Sequence, residues 1–96
     1  MDKLKTVAVL IGNSDDKLTQ REWSDYAFEI KEILYHRTVD LHFCGASFGA
    51  SEYQNACFVL ELHEEELDEL KQVLSKVGKV YNQDSIAFVV GNTTFI

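Results

Sequence analysis

The residues best equipped for chemistry fall in three short polar strings. Asn13-Ser14-Asp15-Asp16 follows one apolar run, Tyr53-Gln54-Asn55 precedes another, and Asn82-Gln83-Asp84-Ser85 precedes a third. An amide carries a donor and an acceptor together, and a carboxylate accepts from both hydroxyls of a diol. Asn13, Asp16, Gln54, Asn55, Gln83 and Asp84 therefore form a set suited to reading ribose hydroxyls or a base edge. Trp23 and Tyr53 supply aromatic surface on which a ligand ring can stack. Each residue also has a plainer use: Asn and Asp favour turns, Gln54 and Asn55 can solvate a loop, and Trp23 can be core.

The spacing marks no reactive constellation of the kind that small enzymes show. His36, His42 and His63 are dispersed along the chain, and Cys44 and Cys57 lie in strand-like runs without the paired spacing of a zinc site. Gly45 and Gly49 introduce no helix and are followed by no phosphate-binding lysine. The expectation is binding without catalysis, with no metal and no cofactor.

Composition narrows the partners. A chain of 96 residues makes one domain, 1–96, with 46% hydrophobic and 26% charged residues, the balance of a folded soluble protein. The net charge of −7 opposes a phosphate backbone, so nucleic acid is excluded as the expected partner. No apolar run approaches the roughly 20 residues that span a bilayer, so no membrane partner is expected. Met1-Asp2-Lys3-Leu4-Lys5 leads into a strand-like run and not into a signal peptide, so the expected location is the cytoplasm, with both cysteines as free thiols.

The elements that must position the polar strings are legible from periodicity. Thr6 to Ile11 is a continuous apolar run closed by Gly12, as in a central strand buried on both faces. Thr19 and Glu22 form a capping box, and Trp23, Ala27, Ile30 and Leu34 follow at helical spacing, predicting a helix from Gln20 to His36. Val39 to Cys44 and Asn55 to Leu62 alternate with period two, predicting a hairpin with a long loop over Gly45 to Glu52. Leu67, Leu70, Val73, Leu74, Val77 and Tyr81 carry a second helical stripe, with Glu64, Glu65 and Glu66 in its first turn, where the helix dipole favours negative charge. Ile86, Phe88 and Val90 predict the last strand, before a Gly91-Asn92 turn into a short end segment.

Strand, helix, strand, strand, helix, strand is the order of a ferredoxin-like α+β domain, a four-stranded antiparallel sheet with two helices on one face. Val7, Val9, Phe43, Phe58, Leu60, Ile86 and Phe88 are expected to face the helices. Ala8, Leu10, His42, Cys44, Cys57, Val59, Ala87 and Val89 then form an open face too apolar for water, which predicts a homo-oligomer packed sheet to sheet. Gln83-Asp84-Ser85 enters an edge strand across the sheet from the hairpin. Joining it to the other two strings is expected to require a neighbouring subunit.

The opening strand, polar turn and capped helix, together with the Gln83-Asp84 pair entering the last strand, resemble small phage proteins of the S-adenosylmethionine lyase family. The resemblance implies ferredoxin-like oligomers with ligand sites between subunits. It further implies S-adenosylmethionine as substrate, whose own carboxylate displaces methylthioadenosine, with positioning supplying most of the catalysis. This chain departs at Tyr53-Gln54-Asn55-Ala56-Cys57, where amides stand in place of an acidic residue, leaving Glu52 and Glu61 as substitutes. The expected function is therefore a non-catalytic oligomer that sequesters a small nucleotide-derived ligand, such as a defence signal opposed by a phage. A lyase-like enzyme, and a protein inhibitor acting through the acidic run Glu61 to Glu69, are the alternatives.

Overall fold

A computed structural model describes residues 3–47 and 54–96. Tyr53 and Glu52, and most of the loop predicted over Gly45 to Glu52, lie outside the described residues. Strands β1 (Leu4–Gly12), β2 (Asp40–Ala46), β3 (Asn55–His63) and β4 (Ala87–Gly91) form one antiparallel sheet in the order β2-β3-β1-β4. Helix α1 (Gln20–Arg37) joins β1 to β2 and α2 (Leu67–Val80) joins β3 to β4. This α+β arrangement agrees with a ferredoxin-like fold. Among the described residues no helix is long and apolar enough to cross a membrane.

Strand β1 is central, bordered by β3 and β4, but the expected burial on both faces is corrected: the helices cover only one, and Leu10 on the other is 41% exposed. Val7, Val9 and Ile11 point to the helices and meet Trp23, Tyr26, Ile30 and Leu34 of α1 and Leu70 and Leu74 of α2 in one core. Phe58, Leu60 and Leu62 of β3 complete it. Burying each such side chain contributes about 1.5–3 kcal/mol. The helical stripe of α1 includes Tyr26, which is fully buried, while Ala27 lies at its margin.

Two local departures from the sequence pattern have physical causes. Glu64–Glu66 form a short 3-10 turn, and α2 begins only at Leu67. In β2 the register slips between Leu41 and Phe43, so that Leu41 opposes Leu60 while Phe43 opposes Val59 and Cys44 opposes Phe58. An extra residue in one strand sends every later side chain to the other face. Phe43 therefore lies on the open face, 56% exposed, and Cys44 on the helix side, the reverse of the expected placement. The ring of Phe43 lies across Gly45, where a Cβ would stand 2.7 Å from its Cζ. A side chain at this position would have to push the exposed ring aside.

Helix α1 opens on the predicted capping box. Thr19 Oγ1 accepts from the Glu22 backbone N–H at 3.2 Å, and the Thr19 N–H donates to Glu22 Oε1 at 2.9 Å. The hydrogen bonds from the backbone and hydroxyl of Thr19 hold the Glu22 carboxyl below its ordinary value. Because the folded value is the lower one, the stabilisation is complete above the ordinary carboxylate value and is lost as pH falls through the lowered one. Glu22→Gln should accordingly remove a part of the acid-induced loss of stability, seen as a shallower decline in urea midpoints measured from pH 6 to pH 3.

Candidate functional site

Antiparallel pairing brings the polar strings to one end of the sheet. Gly12, the last residue of β1, lies opposite Asn55, the first of β3, and Leu10 lies opposite Ala87, the first of β4. The segments entering β3 and β4 therefore flank the segment leaving β1. No neighbouring subunit is needed: Gln83 Oε1 accepts from the Ser14 backbone N–H at 2.9 Å within one chain. The expectation that the third string lies remote from the others is corrected by this contact, because β4 borders β1 directly.

Asn13 closes the β1–α1 loop. Its side-chain carbonyl accepts from Leu18 N–H at 2.9 Å and its amide donates to Leu18 O at 3.0 Å, the pattern that a paired strand would offer. Its backbone N–H donates to Gln54 O at 3.0 Å, extending the β1–β3 ladder by one rung. Gln54 is buried and exchanges hydrogen bonds with Gln20, Nε2 to Oε1 at 2.9 Å in one direction and 3.1 Å in the other. The three buried polar residues are Asn13, Gln54 and Gln83, among the described residues, and each spends its amide on holding the chain to itself. That is what burial demands of a polar group.

The end of α2 aims Gln83. Asn82 adopts a left-handed conformation, φ 57°, and the Gln83 N–H donates back to Gly78 O at 2.9 Å while Asn82 N–H donates to Lys79 O at 3.1 Å. This pair of bonds is the Schellman helix stop, which asparagine tolerates better than most residues. Gln83 Nε2 then donates to Tyr81 O at 2.9 Å, fixing the rotamer that reaches Ser14. Lys17 adds an exposed clamp, with Nζ 3.0 Å from Asp84 Oδ1 and 3.2 Å from Asn82 O.

With the loop pinned on both sides, Asp15 and Asp16 project outward in left-handed backbone, φ 52° and 54°. Such conformations cost roughly 1–2 kcal/mol per non-glycine residue, less for Asp and Asn. A hollow of about 640 Å³ beside them is lined by Gly12, Asn13, Ser14, Asp15, Asp16, Gln54 and Asn55. Asp16 is exposed and receives only a long 3.4 Å contact from the Asn13 amide. Asn55 is anchored through its backbone, which accepts from Ser47 N–H at 2.8 Å and donates to Ser47 Oγ at 3.0 Å.

Of the residues read from sequence, Asn13, Asp16, Gln54 and Asn55 line this hollow, while Gln83 and Asp84 border it across the loop and line a different groove. Trp23 is a core side chain, 8% exposed, with its ring edge-on to Tyr26 at 6.1 Å. Asp15, which the sequence reading named in the same string as a turn former and not as a ligand contact, also lines the hollow. Glu61 stands six residues along β3 from Asn55, about 20 Å away, where it meets His42 Nε2 at 3.2 Å. It cannot replace an acidic residue at this end.

Neither a protein-family model nor a curated protein matches the chain.

The two kinds of loop residue should respond oppositely to mutation. Asn13→Ala leaves the buried Leu18 backbone unpaired and should cost about 1–3 kcal/mol, whereas Asp15→Gly relieves left-handed strain and should not lower stability. Urea denaturation followed by circular dichroism measures both.

Proposed function

We propose that this protein binds and sequesters a small nucleoside-containing molecule at the loop leaving β1, and that it does so as a homo-oligomer. The observation that carries the reading is the 640 Å³ hollow walled by the pinned Asp15-Asp16 turn. Its size lies within the usual range for small-molecule sites. The turn is strained and held from both sides, a circumstance in which backbone strain commonly serves a ligand. Its exposed carboxylates suit a ribose diol, and they favour a neutral or cationic nucleoside such as a sulfonium over a bare phosphate. Asn13, Gln54 and Gln83 act in this reading as the frame that presents Asp16 and Asn55. In the phage setting that the resemblance implies, retention of such a ligand would remove a nucleotide-derived defence signal.

Self-association is supported by the open sheet face. Leu4, Leu10, Phe43 and Val89 are between 41% and 56% exposed there, around Ala8, Cys57, Val59 and Ala87. A continuous apolar surface of this kind is costly in water and usually meets a partner. A second copy of the chain would offer the same apolar face in return.

Incubation with S-adenosylmethionine, ADP-ribose and cyclic nucleotides, removal of free ligand, heat denaturation and mass spectrometry of the supernatant tests the binding. An intact nucleoside ligand should be released in near-stoichiometric amount, and Asp16→Ala should weaken its retention at least tenfold, a loss that Asp16→Gly, whose glycine suits the left-handed backbone, should share without a lowered unfolding midpoint. Release of a converted product would replace sequestration by catalysis, and retention of nothing would remove the reading. Light scattering on a sizing column tests the assembly: Leu10→Lys combined with Val89→Lys should reduce the native mass to that of one chain.

A further inference from the structure

A second hollow, on the far side of Gln83, is built differently. It lies between α2 and the edge strand β4, encloses about 410 Å³, and has Leu74, Ile86 and Phe88 as its apolar wall. Lys71, Ser75 and Lys79 line its α2 side, at spacings that bring them to one helix face. Lys71 Nζ stands 5.4 Å from the centre of the Phe88 ring, so a cation already lies over an aromatic face at one end. Lys79 lies two turns away, about 12 Å along the helix.

Beneath the groove, behind Gly78 and Ile86, lies an unspent donor. The Tyr26 hydroxyl is fully buried and has no hydrogen-bond partner among the described residues. Burial pushes it up to about 12, so it remains a protonated donor throughout the physiological range. It lies where Gly78 and Ile86 meet: a Cβ at position 78 would stand 3.3 Å from Ile86 Cδ1 and 3.9 Å from Tyr26 Oη. Glycine in a helix costs roughly 0.5–1 kcal/mol relative to alanine, and here it permits that close approach. A buried polar group left unpaired is costly, and a ligand acceptor placed there would satisfy it.

We propose that the α2–β4 groove binds a small aromatic anion, its ring laid on Leu74, Ile86 and Phe88, its phosphate or carboxylate held by Lys71, and an acceptor group received by Tyr26 as the Ile86 side chain turns aside. This site is distinct from the carboxylate-lined hollow, which repels such charge. Asp84 also lines the groove, where Lys17 Nζ at 3.0 Å offsets its charge, and the anion is therefore placed at Lys71.

Titration of the isotopically labelled full chain with 1-naphthyl phosphate, 1-naphthoate and neutral 1-naphthol, read by amide chemical shifts, tests it. The two anions should shift Lys71, Ser75, Gly78, Ser85 and Phe88 saturably and bind at least tenfold tighter than naphthol. Lys71→Glu should abolish that preference, and Tyr26→Phe should weaken binding severalfold while raising the unfolding midpoint of the free protein. Asp16→Ala should leave naphthyl phosphate affinity unchanged, which separates this site from the nucleoside site. Equal affinity for naphthol, an unaltered Kd in Lys71→Glu, or shifts confined to the open sheet face would overturn the proposal. So would groove shifts that follow protein concentration without added probe, since a second copy would then be the occupant.

Discussion

The side-chain amide of Asn13 is the tie on which this architecture turns. By bonding Leu18 through both its carbonyl and its amino group, it closes the loop between the central strand and the first helix as a strand partner would. The closure is buried, so water offers no substitute for either bond. It places Leu18 in the core and delivers the chain to Thr19 in position to cap α1. The same loop is held from the opposite side by Gln83, whose acceptor reaches the Ser14 backbone. The β1–α1 and α2–β4 connections are thereby fixed relative to each other.

A division of labour follows from the chemistry of burial. Buried amides meet their own needs inside the chain, because a donor or acceptor removed from water must find a partner. Exposed carboxylates carry no such obligation, and Asp15 and Asp16 stand outside the tie in strained backbone. Residue types that looked equivalent in the sequence thus separate into buried ties and exposed groups. Lys17 and Asp84 form an exposed bridge over the seam, worth little energetically in solvent but aligned with the buried bonds beneath it.

The sheet has a comparable asymmetry between its faces. One is sealed by α1 and α2, while the other presents aliphatic and aromatic side chains outward. The slip in β2 adds Phe43 to that outer surface and folds its ring over Gly45. His42, at the slip, pairs with Glu61 at 3.2 Å and lies 3.6 Å from Asp40, so the polar character of this face gathers toward one end. The remainder, with Leu4, Leu10, Phe43 and Val89 exposed, is largely apolar.

Much of the fold was legible in the chain because local rules act over a few residues. The apolar run of β1, the Thr19 to Glu22 box and the stripe of Leu70 and Leu74 each declare themselves within one or two turns of helix or one strand. The slip in β2 was not legible, since it arises from pairing with β3 and alternation alone cannot register an extra residue. The candidate site was legible as residue types and illegible as roles. Amides at strand boundaries look the same whether they face a ligand or their own backbone, and the partners that decide lie far apart: Ser14 and Gln83 are separated by 69 positions and Gln20 and Gln54 by 34. By itself the sequence determined which segments are strands and helices, and where polar groups gather. Only the tertiary structure decided which of those groups are consumed in holding the chain together, because hydrogen-bond satisfaction in a buried site depends on neighbours brought close by folding.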